Sequence, residues 1–178
     1  MGHMHFVCTH AEARKLTEER ERFWVSNCGC REGGKGCERS RLDVCLFFST
    51  SMSGTGGDFH EVNREFFQEL LQHAHEKRLV ARPWYLPPEL KKLDGICFCC
   101  DDCCEYFSDP EATSGKGQFI ELTNTDGCTH CGDCVPVCYF GARKMMEEKL
   151  LVNRDDCYGC GLCVEVCPTD CIKMVPSA

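Results

Sequence analysis

"CTHCGDCVPVCYFGARKM" (residues 128–145) and "CYGCGLCVEVCPTDCIKM" (157–174) are one phrase written twice. Overlaid at the offset of 29 residues that separates Cys128 from Cys157, the four cysteines of each copy coincide. So do Gly132/Gly161, Val135/Val164, Val137/Val166, Lys144/Lys173 and Met145/Met174, which makes half the aligned positions identical. Each copy reads C-x-x-C-x-x-C-x-x-x-C. Three thiolates spaced by two residues can wrap a polynuclear core, each holding a different iron, if the loop coils tightly. Gly132 and Gly161 relieve the crowding where the backbone approaches that core. Zinc and disulfides are the competing readings. Zinc sites normally pair two C-x-x-C knuckles across a gap, so the unbroken run favours iron and sulfide.

On these residues the segment from about 116 to 178 resembles the bacterial dicluster ferredoxins. The resemblance implies two [4Fe-4S] clusters whose fourth ligands are exchanged between the repeats. Cluster one would take Cys128, Cys131, Cys134 and Cys167; cluster two would take Cys157, Cys160, Cys163 and Cys138. It also implies a small α+β module with a pseudo-two-fold axis, in which short hairpins around "GQFIELTN" and "KLLVNRDD" flank the cluster loops. The proline that usually follows the fourth cysteine is present as Pro168 but is Tyr139 in the first copy. Proline donates no atom to iron, so no ligand is lost.

The remainder of the chain must be consistent with that cofactor. Of 178 residues, 19 are cysteine, a fraction that in a secreted chain would suggest a disulfide scaffold. The start, "MGHMHFVCTHAEARK", has no apolar run of signal-peptide length, and the cysteine count is odd, so a cytoplasmic metal protein is expected. No stretch is long and apolar enough for a membrane span. A formal charge of −8 disfavours nucleic acid and suits a redox partner with a basic docking surface, or a place as subunit of a larger oxidoreductase complex. "GTGGDF" lacks the spacing of a nucleotide-binding loop, so no substrate chemistry of the chain's own is indicated.

Upstream of the repeat, a boundary is expected at 114/115, within the linker-like "SDPEATSGKG". The preceding region reads as mostly helical. Thr9 and Glu12 form a capping box for a helix continuing through "EARKLTEERERFWVS" to about Asn27, and Asp58 with Glu61 opens a second helix over "FHEVNREFFQELLQHAHEKRL". "LDVCLFFST" reads as a short buried strand. Nine cysteines accompany these elements in two groups: Cys28, Cys30, Cys37 and Cys45, then Cys97, Cys99, Cys100, Cys103 and Cys104. In a helix over 99–104, Cys100, Cys103 and Cys104 would share a face; in an extended segment Cys99 and Cys100 would point to opposite sides. On either geometry the five thiols divide between sites. Two Cys₄ sites with one left over, or one site assembled across the groups, both satisfy the count. "CGCR" (28–31) and "CFCCDDCC" (97–104) are similar to segments of ferredoxin-like proteins from anaerobic microbes. That similarity implies one or two additional iron–sulfur clusters rather than zinc.

Several residues have blander readings. Cys8 and Cys171 are expected to pack as small side chains, Cys171 in the slot that Ala142 fills in the other copy. His130, His73 and His75 are expected at the surface. Three functional classes follow. The first is an electron carrier, the second is a redox enzyme or its electron-input subunit with an unusual N-terminal cluster, and the third is a zinc-stabilised sensor or interaction region fused to a ferredoxin.

Overall fold

The computed structural model describes residues 4–34, 36–51, 54, 56–86, 92–109 and 114–177. Helix α1 (His10–Thr17) starts where the capping box predicts: the Thr9 hydroxyl accepts the Glu12 N–H, and the Glu12 carboxylate accepts the Thr9 N–H. The helix stops ten residues short of the expected end. Thr17 turns its buried hydroxyl back onto the carbonyls of Ala13 and Arg14, and Phe23–Ser26 becomes strand β1. The correction has a physical cause. Phe23, Val25 and Ser26 are fully buried, and this aromatic and β-branched run gains more by pairing in a sheet than by prolonging an exposed charged helix.

The short helix α2 (Gly29–Glu32), β2 (Cys45–Phe47) and β3 (His60–Val62) follow. The second helix, α3, spans only Arg64–Glu76 and is capped by Asn63, whose side chain accepts the Phe66 N–H. Residues expected at its start form β3 instead. Phe67, Leu70, Leu71 and Ala74 are its buried stripe. Phe67 stacks on Phe23 with centroids 4.9 Å apart, and each such side chain contributes about 1.5–3 kcal/mol of burial. β4 (Val80–Tyr85), β5 (Leu93–Cys99) and α4 (Glu105–Ser108) complete this part. The five strands form one antiparallel sheet in the order β3-β1-β2-β5-β4. The N-terminal region is thus organised by a sheet, which corrects the expectation of a mostly helical one.

The C-terminal repeat builds two antiparallel pairs, β6 (Phe119–Thr123) with β9 (Ile172–Pro176) and β7 (Arg143–Met146) with β8 (Lys149–Val152). Helix α5 (Leu162–Glu165) lies between them in sequence. "GQFIELTN" and "KLLVNRDD" each supply one strand of a pair rather than a whole hairpin. The duplication extends upstream of the cysteines. Asn124 and Asn153 cap matching 3₁₀ turns, Thr125–Gly127 and Arg154–Asp156, each leading directly into the first cysteine of its copy.

The expected boundary region is crossed by packing. Residues 110–113 of the linker-like stretch lie outside the described residues, but Val7 N–H donates to the Gly115 carbonyl and Gly117 N–H to the Tyr158 carbonyl. Val7, Val80 and Leu162 share a buried cluster with Phe107, Tyr139, Phe140 and Tyr158 around it. Polar anchors reinforce the contact: Glu165 receives His10 at 2.8 Å, His75 at 3.1 Å and Arg78 at 3.5 Å. No helix among the described residues is long and apolar enough to cross a membrane.

Candidate metal centres

The eight repeated cysteines line two cavities. One is bounded by Cys138, Cys157, Cys160 and Cys163, the other by Cys128, Cys131, Cys134 and Cys167. Each therefore takes three thiols from one repeat and the fourth from the other. Gly132 and Gly161, both at positive φ (84° and 78°), make the tight turns in the two ligand loops.

Spacing distinguishes what such cavities can hold. Two thiolates on one zinc ion cannot stand farther apart than twice the ~2.3 Å Zn–S bond. Among the described residues, no three of the eight thiols belong to a set whose ligand atoms all lie within 4.8 Å of one another. They surround a space wider than one ion. Burial pushes Cys160 and Cys163 up to about 12 and raises Cys138. These thiols ionise together only around a cationic core, which zinc or an iron–sulfur cluster would supply, so it is spacing that separates the two. The donor set thus fits an iron–sulfur cluster in each cavity.

The comparisons agree with the geometry. Residues 127–171 match the 4Fe-4S dicluster domain family. The chain carries a ferredoxin-like iron–sulfur domain. That match covers its C-terminal part, and no curated protein matches the chain.

Within the iron–sulfur domain, one buried ion pair escaped the sequence reading. Arg143, 2% exposed, donates from Nη1 to Cys134 Sγ at 3.4 Å and from Nη2 to the Glu121 carboxylate and to Thr123 Oγ1, the latter at 2.9 Å. It also borders the cavity of the other quartet. Glu121 is held in turn by Arg154 at 3.0 Å. The guanidinium stands between the two thiol sets, where it adds positive charge and a hydrogen bond to ligand sulfur. Only the tertiary approach of Glu121 on β6 to Arg143 on β7 could have revealed it, and no local motif encodes that.

Other expectations resolve individually. Cys8 packs in the main core, 1% exposed. Cys171 is buried as expected, but it also lines the Cys128 cavity with its Sγ 3.5 Å from that of Cys167. Burial opposes ionisation of Cys167, yet the Thr169 backbone and hydroxyl and the Cys171 thiol outweigh it and bring Cys167 down to about 7. His130 is half-buried. Its Nδ1 accepts the Leu150 N–H at 3.0 Å, which leaves the proton on Nε2. Cys131 is exposed, so the Cys128 quartet reaches solvent at that thiol.

The nine upstream cysteines divide, and the dividing line is the sheet. Cys45 and Cys97 are direct cross-strand partners on β2 and β5, with Arg82 of β4 opposite Cys97 on its other side. Cys99 shares the Cys97 face by strand alternation. Cys28 and Cys30, at the start of α2, and Cys104, at the start of α4, close on this face. They complete a run of thiol contacts in the order Cys97, Cys45, Cys28, Cys30, Cys104, Cys99. The contacts polarise one another. Contact with Cys104 and Cys28 holds Cys30 well below the ordinary thiol value, while Cys104 itself is pushed up. Arg82 Nη1 lies 3.8 Å from both Cys99 and Cys104, and its guanidinium covers the Tyr106 ring at 3.7 Å. Cys100, one residue past β5, turns to the other side and meets Cys37 and Cys103. The crowded stretch follows neither alternative throughout: it is extended to Cys99, which sets Cys99 and Cys100 on opposite sides, and then turns over residues 101–103 with the Cys104 N–H donating to the Cys100 carbonyl at 3.2 Å.

Proposed function

We propose that the chain is an electron-transfer protein in which the two C-terminal quartets, Cys128/Cys131/Cys134/Cys167 and Cys157/Cys160/Cys163/Cys138, each hold a [4Fe-4S] cluster. A further iron–sulfur centre lies at the six-thiol face of the N-terminal sheet. The observation that carries this reading is the exchange of fourth thiols between two four-cysteine cavities. Such clusters supply one-electron oxidation and reduction, at potentials anywhere from roughly −700 to +450 mV. The protein's contribution is to bury the thiolates, donate to their sulfurs through Arg143 and Arg82, and set the local charge.

The order of the centres follows from packing. Cys104 opens α4, whose Tyr106 and Phe107 contact Phe140, and Phe140 stacks on Tyr158 with centroids 4.4 Å apart at the cavity of the Cys157 quartet. Arg143 links that cavity to Cys134 of the Cys128 quartet, which meets solvent at Cys131. The six-thiol face thus lies inside and the Cys128 quartet outside. A partner docks at the outer end, and the net charge of −8 suits one with a basic surface. The chain is read as a cytoplasmic carrier, acting alone or as subunit of an oxidoreductase complex, with residues 1–114 and 115–178 as its two functional parts.

Stepwise anaerobic reduction followed by visible absorption and EPR tests the reading. Bleaching should proceed in one-electron steps, each reversed by a mild oxidant. A chain that contains iron and sulfide yet takes up no reversible electron would contradict it.

A further inference from the structure

We infer that Cys37, Cys100 and Cys103 hold a single Zn²⁺ ion at a site separate from every iron–sulfur centre of the chain. The inference does not rest on the electron-transfer reading, and either can fail alone.

Distance is the first ground. Cys37 and Cys100 have their sulfurs 3.5 Å apart, as do Cys100 and Cys103, and all three lie within 4.8 Å of one another. Tetrahedral geometry with Zn–S bonds of about 2.3 Å puts ligand sulfurs roughly 3.8 Å apart. A cubane binds each thiolate to a different iron and spreads them wider. This molecule carries its own internal comparison, because none of the eight repeated cysteines enters such a close set. The six-thiol face does not either. Among the cysteines of the described residues, this triad is ion-sized and the other groups are not.

Charge is the second. Arg31 is 2% exposed, with Nη2 directed at Cys100 Sγ (3.6 Å) and the Phe98 carbonyl (3.1 Å) and Nη1 at the Arg41 carbonyl (3.1 Å). Its Nε has no partner among the described residues, and none of the carboxylates there forms an ion pair with it. A buried guanidinium requires a counter-charge. Three thiolates around one divalent ion carry a net charge of −1, which cancels Arg31 and leaves the buried unit neutral.

The site has a mechanical role. Cys37 belongs to the loop after α2, while Cys100 and Cys103 flank the turn that carries the chain from Cys99 to Cys104. An ion joining them pins that turn, and so fixes both Cys99 and Cys104 on the opposite face. Beside the triad, the exposed Asp102 accepts from the Glu38 N–H at 2.9 Å, which holds the Cys37 loop against the turn. Next in the same loop, Arg39 pairs with Asp101 at 2.8 Å and donates to the Tyr139 hydroxyl of the iron–sulfur domain. The ion therefore anchors one of the segments through which the two parts of the chain touch.

The test uses the full chain purified anaerobically, with elemental analysis and zinc-edge X-ray absorption. About one zinc per chain is expected, with a sulfur shell at about 2.3 Å. Cys103→Ser should abolish stoichiometric zinc while iron and sulfide stay at the wild-type level; Cys131→Ser should lower iron and sulfide by up to about one cluster and leave zinc unchanged. If Cys103→Ser does not fold, the wild-type spectrum decides, since zinc without sulfur neighbours, or no zinc at all, overturns the assignment. Zinc retained in Cys103→Ser overturns it too. So does loss of about four irons from that variant, the signature of a cubane ligand, or a disulfide within the triad in the anaerobically isolated chain.

Discussion

Removing the Arg143 guanidinium should lower the reduction potential of the centre held by Cys134. The bond to Cys134 Sγ is 3.4 Å long, with the donor 2% exposed, so water does not screen it. A hydrogen bond to a charged partner is worth about 1.5–3 kcal/mol. Reduction adds negative charge to the cluster and its thiolates, which strengthens the bond; if half its worth is gained on reduction, the reduced state is favoured by about 0.75–1.5 kcal/mol. A tenfold shift in a one-electron equilibrium is 59 mV, so the expected change is about −30 to −65 mV. Arg143→Met alone would leave buried Glu121 with only Arg154, and breaking a buried pair costs about 3–5 kcal/mol. The informative comparison is therefore Arg143→Met with Glu121→Gln against Glu121→Gln alone, which isolates the donor without stranding the carboxylate and cancels the effect of the lost Glu121 charge on the potential. Protein-film voltammetry or an EPR-monitored titration reads the shift. A potential that is unchanged, or raised, relative to Glu121→Gln in a double variant with full iron content would refute the assignment of Arg143 as the donor that tunes this centre.

Three further outcomes are expected. Cys138→Ser should disturb the same reduced EPR signal as Cys157→Ser, and Cys167→Ser the same signal as Cys128→Ser; the opposite grouping would rule out ligand exchange between the repeats. Glu165 is held below the usual carboxylate range: burial opposes this, but His10, His75 and Arg78 outweigh it. The stability it supplies is thus present above the unfolded value near 4.5 and lost as pH falls through the lower folded value. Glu165→Gln should cost about 1–3 kcal/mol at neutral pH in thermal unfolding, with the gap to wild type closing on acidification. Gly161→Ala should be costlier than Gly132→Ala by chemical denaturation. Both positions have positive φ, but a Cβ at 161 would meet the capping residue Thr9 at 3.0 Å, whereas one at 132 meets the side chain of Met145 at 3.5 Å.

The cysteine repeat was readable because a cluster loop is local: three ligands, a glycine turn and the next ligand lie within a dozen residues. The Thr9/Glu12 cap and the buried strand around Cys45 were readable for the same reason. The six-thiol face was not, since it depends on Cys45 and Cys97 meeting across β2 and β5, and register is invisible without the sheet. The two misjudged helices share one cause. "RERFWVS" and "FHEVNRE" carry enough charge to extend a helical pattern, yet Phe23 and Val25 are buried between strands and the true cap of α3 is Asn63. The Arg143–Glu121 pair was hidden in the same way, because its members sit 22 residues apart and meet only after β6 and β7 are in place.

Iron and acid-labile sulfide counts with Mössbauer spectra of the anaerobically isolated, isotopically enriched full chain test the central claim most directly. At least about eight irons should appear per chain in thiolate-ligated cubane form, with matching sulfide. Finding the eight repeated thiols as disulfides, or bound to lone zinc ions without sulfide, would contradict it.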